Sequence, residues 1–489
     1  MKQEEELQAL REELQTVREE NRMLKALVAE LLPLREQVEQ LKEQVNQLEK
    51  RLAKDSRTSS KPPSSDGLGR QPRSTRRPSS KPTGGQPGHP GHTLSQVAVP
   101  DEVMTHRPPA CSCCQKSLQE VAGVVAERRQ VLDLPEIHLL AREHQVEAVC
   151  CPHCQQITLG SFPKGVTAPV QYGPHVQALA VYLHQGQLLP VARTCEALAE
   201  LCGSQIAEGT LLRWVEQAAE QLAPTVEHIA DLLAASRLQH ADETGIRVYG
   251  MLHWLHVNCT RWLTHLAWHA SRGREAMEEI GIWPRFRGRG MHDRWVSYDA
   301  YPCAHSICGA HLLRDCAALA EQDQQPWAAD MHSFLLDLHA ATTEWRTLHV
   351  PAVAAIERDE WVARYFEILA AGYAAQPPPL DQPARRRKGR RKQSAAKNLL
   401  DALLHRADQV LALLHDLSIP FTNNQAERDL RMVKVQQKIA GTFRSEAGVT
   451  AFCRIRSYLS TIHKQGHPML SALAAVFHGQ PLPVAWGPE

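Results

Sequence analysis

Three acidic residues lie in segments where carboxylates could hold metal ions. Asp242 lies in QHADETG at a predicted strand end, Asp293 lies in GMHDRW after a short segment, and Glu427 lies in NNQAERDLRMVK, which opens a predicted helix. Mg²⁺ or Mn²⁺ prefers hard oxygen ligands. Two such ions about 4 Å apart can activate an attacking oxygen and stabilise a leaving one. The three acids are therefore candidate ligands for a two-ion site of phosphodiester chemistry.

Each of these carboxylates also has a purely structural explanation. An Asp at the end of a strand is often a turn residue. Glu427 follows Asn424 by three residues, an arrangement that can cap a helix. Asp299 and Glu243 are close enough in sequence to take the same role. The residue types alone leave both interpretations open.

Basic residues cluster in two places that could contact phosphates. Four recur at three- and four-residue intervals after Glu427 and share a helix face: Arg428, Arg431, Lys434 and Lys438. Three more open a run at 385–392 in which seven of eight residues are basic: Arg385, Arg386 and Arg387. A solvated helix face is the alternative for the first group. Both groups are candidate DNA contacts.

Two Cys-x-x-Cys hooks predict a structural zinc site. Four of the 13 cysteines form the hooks, which can place four thiolates around one Zn²⁺: Cys111, Cys114, Cys151 and Cys154. Unliganded thiols are the alternative, and Cys113, Cys150 and His153 leave the ligand set open. A separate Cys-x-x-His pair, Cys308 and His311, could bind metal too. No second pair of ligands is evident for it, so packing beside the acidic site is preferred.

The composition is that of an ordinary soluble protein, with 43% hydrophobic residues, 22% charged residues and a net charge of +1. The charge is laid out in blocks, which favours anionic partners reached by particular segments. No run of about 18 apolar residues predicts a membrane span, and the first residues do not resemble a signal peptide. We expect a cytoplasmic, bacterial-type protein whose cysteines are thiols or metal ligands.

The N-terminal part predicts self-association. In residues 1–54, Leu and Val recur in a heptad pattern that indicates a coiled coil, with the polar Asn21 on the seam and a kink or break expected at Pro33. A single amphipathic helix packed on its own protein is the alternative. Residues 55–95, rich in Ser, Pro, Gly and Arg, predict a flexible basic linker that lies along DNA or is an inert tether.

The rest of the chain predicts a multidomain α+β protein. Residues 96–164 are expected to form a zinc-binding domain, and residues 165–232 a helical region compatible with a helix-turn-helix that binds DNA. Consecutive strands in 233–318 predict the first part of a catalytic core. Residues 319–417 are expected to form a helical insertion with the basic loop, and 418–489 the C-terminal part of the core with the third acid.

Taken in order, these motifs resemble the insertion sequence 66 family of transposases over nearly the whole length. The matching pieces are the zipper-like helix, the hooks and five short segments: SSKPPSSDG, GGQPGHPGHT, HADETG, HDRW leading into CGAHLLRD, and NNQAERDLRMVK. The resemblance implies an RNase H-like core with an Asp–Asp–Glu triad of Asp242, Asp293 and Glu427. It also implies a helical insertion between the last two acids and accessory proteins from the same element. One departure is FRGRGMH before Asp293, which is more polar and glycine-rich than the buried strand expected there.

The leading hypothesis is therefore an insertion-sequence transposase. It would bind terminal inverted repeats and target DNA, and would cleave and join strands with Mg²⁺ or Mn²⁺. A zinc-containing DNA-binding regulator with an inactive site is the second hypothesis. A self-associating scaffold built on the coiled coil is the third.

Overall fold

The structure is a computed structural model that describes residues 2–52, 84, 94–376 and 393–486. Most of the predicted linker lies outside these residues. So do Arg385, Arg386 and Arg387, whose predicted DNA contacts therefore have no structural counterpart here.

The N-terminal heptads form one helix, α1, over Lys2–Leu52. Its Leu and Val side chains are about half exposed from Leu14 to Leu48, as expected of a seam that has no partner within its own chain. Of the kink or break predicted at Pro33, the break is wrong, because the helix runs through this residue. Proline removes one i→i−4 hydrogen bond, and on an exposed helix water can satisfy the freed carbonyl of Ala29.

The hook segment has little regular structure. Strands β1 and β2, Ala148–Cys150 and Ile157–Leu159, form an antiparallel pair around the second hook. None of residues 94–170, all of which are described, is buried. This stretch therefore has no hydrophobic core of its own.

The region predicted to be helical from 165 to 232 is helical from Pro174 onward. It contains α2, a π-helical turn at Tyr182–Gly186, α3 and α4; the three α-helices are Pro174–Val181, Val191–Cys202 and Glu208–Ala234. The helix-turn-helix interpretation expects two short helices, but the second helix, α4, is 27 residues long. These helices share one core with two C-terminal helices, α13 and α14, at Glu446–Lys464 and Met469–Phe477.

The consecutive strands predicted from residue 236 form most of a mixed five-stranded sheet. Its order is β5-β4-β3-β6-β7, with β3, β4 and β5 antiparallel neighbours and with β6 and β7 parallel to β3. In chain order the strands are Leu238–Val248, Met251–Cys259, Thr264–His269, Arg289–His292 and Ala304–Ile307. Helix α5, Arg274–Ile280, lies between β5 and β6 in sequence.

Both faces of the sheet are covered. On one face Ile246 and Val248 of β3 belong to a core with α12, Asn424–Ala440, and with α13. On the other face Ala241 packs with Trp283 and its aromatic neighbours. The alternation of side chains along β3 accounts for the division, because successive residues point to opposite faces.

A helical cluster separates β7 from α12 in sequence, as predicted for the insertion. Its helices α6 to α11 are Gly309–Gln322, Pro326–Thr347, Ala355–Ala374, Ala395–His405, Ala407–Val410 and Ala412–His415. They pack around a core that also includes Met291 of β6, Ile307 of β7 and Phe421. The cluster is thus continuous with the edge of the sheet.

Candidate active site

Asp242 is the fifth residue of β3, inside the strand and not at its end as predicted. Side chains along a strand alternate, so Asp242 points to the same face as Ile246 and Val248. That face packs against α12. The strand therefore directs the Asp242 carboxylate toward the helix that carries Glu427.

The parallel pairing of β3 with β6 brings Asp293 beside Asp242. Their register joins Leu238 to Arg289 and His240 to Met291, and two residues further on each chain stand Asp242 and Asp293. Neighbouring strands lie about 4.8 Å apart. The two acids therefore lie side by side where β6 ends.

The doubt raised by the glycine-rich segment before Asp293 is resolved by packing. Residues Gly290, Met291 and His292 are buried in β6. A Cβ atom on Gly290 would lie 2.4 Å from the Trp283 ring, so glycine is required where the indole covers the strand. The segment is a buried strand despite its composition. Beyond it, the Trp295 backbone N–H donates to Asp293 Oδ1 at 2.8 Å and fixes that carboxylate.

Glu427 stands in the first turn of α12, and the capping role considered for it is not needed. Asn423, the residue before the helix, makes no side-chain cap. Its Nδ2 donates to the Ala241 carbonyl at 2.7 Å, and its Oδ1 accepts from His240 Nδ1 at 2.9 Å. Burial lowers the pKa of His240 to about 4, so the imidazole is neutral near pH 7. This network attaches the start of α12 to β3 beside Asp242.

The electrostatics of Asp242 show that the three acids share one environment. Burial is the main cause that raises the pKa of Asp242 to about 8, and the charges of Glu243, Asp293 and Glu427 contribute to that value. Like charges gathered in a partly enclosed site favour the proton or a cation over free carboxylates. The donor set consists of hard oxygens, which fits Mg²⁺ or Mn²⁺.

The two competing carboxylates have other partners. Glu243 accepts a hydrogen bond from Tyr298 Oη at 2.7 Å and pairs with Arg272 at 2.7 Å. Burial is the main cause that raises the pKa of Glu243. Asp299 pairs with Arg406 at 2.5 Å. Glu243 is thus a neighbour with both oxygens engaged, and Asp299 belongs to a different ion pair.

Arg272 connects Glu243 to Asp293. Its guanidinium lies 3.9 Å from Asp293 Oδ2 and is held between the rings of Trp254 and Trp295, at 5.0 and 4.1 Å. Stacking of this kind orients a planar guanidinium. Arg272 can therefore position Asp293 without neutralising the whole acidic group.

A sulfur and an imidazole also reach Glu427. The ligand atoms of Cys308, His311 and Glu427 all lie within 4.8 Å of one another, and within the described ranges no other group of three or more Cys, His, Asp or Glu residues meets that limit. The preference for Cys308 and His311 as packing residues rested on the absence of a second pair of ligands in the sequence. Glu427 supplies that ligand from a distant part of the sequence.

The predicted basic face of α12 is solvent-exposed. All four of its members are exposed side chains: Arg428, Arg431, Lys434 and Lys438. Lys434 Nζ also donates to the Gly245 carbonyl of β3 at 2.8 Å. Lys434 thus helps to dock the helix, and the exposed face extends away from Glu427.

The two hooks have the same local geometry. In each hook, a backbone hydrogen bond joins the first cysteine to the residue four positions later. The Gln115 N–H donates to the Cys111 carbonyl at 2.9 Å, and the Gln155 N–H donates to the Cys151 carbonyl at 2.8 Å. Backbone N–H groups of Cys114 and Cys154 lower the pKa of the Cys111 and Cys151 thiols. This equivalence favours Cys111, Cys114, Cys151 and Cys154 over Cys113 and Cys150. All four are described, and no three of their sulfurs lie within 4.8 Å of one another.

Sequence reasoning missed the residues that position the acids: His240, Asn423, Arg272 and Tyr298. A possible signal was the pair Asn423–Asn424 before a helix, because only one of the two is needed as a cap. The other three lie on elements whose neighbours are set by the sheet topology.

Comparison with known proteins gives the family. The profile of the Transposase IS66 family matches residues 169–451, a span that contains Asp242, Asp293 and Glu427. Residues 2–95 match a family of unknown function (DUF6444). No curated protein matches the chain. Among the helices of the described part, none is both long and apolar enough to cross a membrane. The matched span covers more than half of the chain, which belongs to the IS66 family of transposases.

Proposed function

We propose that this transposase cuts and joins DNA with two divalent ions held by Asp242, Asp293 and Glu427. The observation that carries the proposal is the register of β3 and β6, which brings Asp242 and Asp293 together on the side that faces Glu427. The strand order, with a β3–β4–β5 meander on one side of β3 and two parallel strands on the other, supports an RNase H-like core.

The residues of the site divide the work of phosphoryl transfer. Mg²⁺ or Mn²⁺ at the three carboxylates would neutralise charge on the attacking and leaving oxygens. Asp242 gives up its proton when a cation offsets the neighbouring charges. Asn423 and Arg272 hold Glu427 and Asp293 in place. Water first cleaves a phosphodiester to leave a 3′-OH, and that hydroxyl then attacks a target phosphodiester in line and displaces its 3′ oxygen.

DNA contacts are proposed for the exposed basic face of α12 and for Arg385, Arg386 and Arg387. Helices α3 and α4 are proposed to contact the terminal inverted repeats as a helix-turn-helix-like pair. The hooks are proposed to bind one structural Zn²⁺ through Cys111, Cys114, Cys151 and Cys154. The exposed seam of α1 is proposed to pair with a second copy of the chain.

The test is cleavage of a DNA fragment that ends in the inverted repeats flanking the gene, with Mg²⁺ or Mn²⁺. Glu427→Gln should retain end binding and lower the cleavage rate about a thousandfold, since the metal site contributes several kcal/mol and each 1.36 kcal/mol is a factor of ten. Glu446→Gln is the matched control, because Glu446 is an exposed first-turn residue of α13. Undiminished cleavage by Glu427→Gln would refute the triad, and a wild-type chain that binds ends but never nicks them would favour a regulator.

A further inference from the structure

Cys308, His311 and Glu427 form a ligand cluster with a donor set unlike that of the three acids. Cys308 precedes α6 and His311 is the third residue of that helix, so the two lie on one helix face. Glu427 reaches them from the first turn of α12. The three ligand atoms lie within 4.8 Å of one another.

The backbone holds the two helix starts together. The Gly309 N–H donates to the Phe421 carbonyl at 2.8 Å, and the Asn423 N–H donates to Cys308 Sγ at 3.1 Å. A Cβ atom on Gly309 would lie 2.3 Å from the Phe421 ring, so only glycine permits this approach. The cluster is therefore a fixed feature of the fold and does not depend on flexible side chains alone.

His311 has an unmet hydrogen-bonding requirement. Its Nδ1 is buried and has no hydrogen-bond partner within the described residues. An unpaired buried polar atom is unfavourable, because it has given up its hydrogen bonds to water without a replacement. A metal ion in the cluster would provide one way to satisfy an imidazole nitrogen, and neighbouring sulfur and carboxylate ligands are already in place.

We propose that Cys308, His311 and Glu427 bind one ion of the zinc type, separate from the magnesium-type ions of the acidic site. Sulfur, nitrogen and oxygen together suit Zn²⁺ or Co²⁺ and are poor ligands for Mg²⁺. On binding, the Cys308 thiol loses its proton to solvent and a sulfur–metal bond forms. Three protein ligands leave a fourth position open.

Sharing of Glu427 gives the site a regulatory consequence, which rests on the proposed function. A carboxylate bound to a zinc-type ion beside Cys308 is less available to the ions at Asp242 and Asp293. Zn²⁺ should therefore inhibit Mg²⁺-supported cleavage, and the inhibition should depend on the Cys308 sulfur.

Cobalt binding to the full-length chain tests the site without any need for activity. Co²⁺ is titrated into wild type and Cys308→Ala, and absorption from thiolate-to-cobalt charge transfer is measured. The hook cysteines contribute equally to both. We expect Cys308→Ala to lose one equivalent of cobalt–thiolate absorption and the matched control Cys316→Ala, which removes another buried thiol of α6, to lose none. Equal absorption from Cys308→Ala and wild type overturns the proposal.

His311→Gln is a second test of the site that does not depend on the folding of Cys308→Ala, because it keeps the buried Cys308 thiol. It should bind this cobalt ion at least tenfold more weakly, because even residues that only support metal ligands contribute about 10–100-fold. Unchanged affinity would contradict the assignment. Circular dichroism of each variant establishes that it is folded.

Zinc inhibition tests the sharing of Glu427. Cleavage of the terminal DNA in Mg²⁺ is measured with increasing Zn²⁺, and each variant is normalised to its own rate without zinc. Wild type should be inhibited at concentrations at least tenfold lower than Cys308→Ala. Equal inhibition of both overturns the sharing. If the wild type cleaves no DNA, the proposed function fails while the cobalt measurement still decides the metal site.

Discussion

Asp242 lies on a strand of a five-stranded sheet that is covered on both faces, Asp293 directly follows another strand, and Glu427 lies on a helix that covers one face. In contrast, none of residues 94–170 is buried. Burial of apolar surface contributes about 25 cal/mol per Å², so packing can fix the acids before any ion binds. The hooks have preformed turns but no core to hold one turn against the other. A metal ion in the first region would serve chemistry, while the zinc ion proposed for the second would have to supply folding free energy.

The largest effect on folding is expected when one proposed zinc ligand is removed from the hooks, and this change tests the difference between the two regions most directly. We expect Cys151→Ser to abolish amide exchange protection in residues 110–160, since the segment has no buried residue to fall back on. Protection of β3 and α13 should be unchanged. Cys113→Ser, an exposed cysteine outside the equivalent turn positions, is the control. Persisting protection in Cys151→Ser would show that the segment folds without the proposed zinc.

In the core, the largest loss in the free energy of unfolding is expected when a buried ion pair is broken. Lys464 Nζ lies 2.7 Å from Asp429 Oδ2, and the two side chains are only 11% and 10% exposed. Lys464→Met leaves the Asp429 carboxylate buried without its ion-pair partner, with hydrogen bonds from Thr264 and Gln425, which should lower the free energy of unfolding by about 3–5 kcal/mol. Urea unfolding measures the loss.

The exposed pair Arg274–Glu278, 67% and 44% exposed, offers a matched control for this substitution. Arg274→Met should cost less than about 1 kcal/mol. A similar small cost for Lys464→Met would show that the core is not held by this pair. Hook protection should be unaffected by either change.

Acid should destabilise the core through its buried histidines. Burial lowers the pKa of His265 in β5 to about 4, while an unfolded chain binds the same proton near pH 6.5. The unfolded state therefore binds more protons between these values, and stability is lost as the pH falls from about 6.5 to 4. His265→Leu should remove about 3 kcal/mol of that loss, at 1.36 kcal/mol per unit. The measurement is the free energy of unfolding against pH, and an unaltered slope would contradict the assignment.

The smallest effect on stability is expected at Asn423, which joins the start of α12 to β3. Asn423→Ala leaves His240 Nδ1 and the Ala241 carbonyl without their side-chain partner, which should cost about 1–3 kcal/mol. Cleavage should fall about 10–100-fold because Glu427 loses its support. Asn424→Ala, the exposed neighbour, should change stability by no more than about 0.5 kcal/mol. Equal effects of the two would exclude Asn423 as a positioning residue.

Local patterns predicted the elements well. The heptads gave a helix at Lys2–Leu52, alternating residues after 236 gave three strands, and the segment around Glu427 gave α12. The failures came from information that is not local. Asp242 was expected at a strand end because the sequence does not show how far β3 pairs with β4. The composition of β6 did not predict a buried strand, because Gly290 is required by packing rather than by a turn. The Trp283 ring lies across the strand at this position and leaves no room for a Cβ atom.

The site showed the same division. The order of the motifs singled out the three acids as candidate ligands, but spacing along the chain could not reveal that Glu427 also lies close to Cys308 and His311. That meeting requires the return of the chain to the sheet after the helical cluster. Likewise, Asn424 was considered as a helix cap, whereas it is Asn423 that donates a hydrogen bond to the Ala241 carbonyl, on a strand far earlier in the sequence.

The helical cluster between β7 and α12 begins and ends at one point, where Gly309 and Phe421 are joined by a hydrogen bond. Its core includes Met291, two residues before Asp293, and Phe421, six residues before Glu427. Leu238 at the start of β3 packs against the same core, so this core borders the backbone that leads to all three acids. A substitution in the core of the cluster would therefore be expected to disturb the spacing of the three candidate ligands, even though none of the cluster's helices carries one of them.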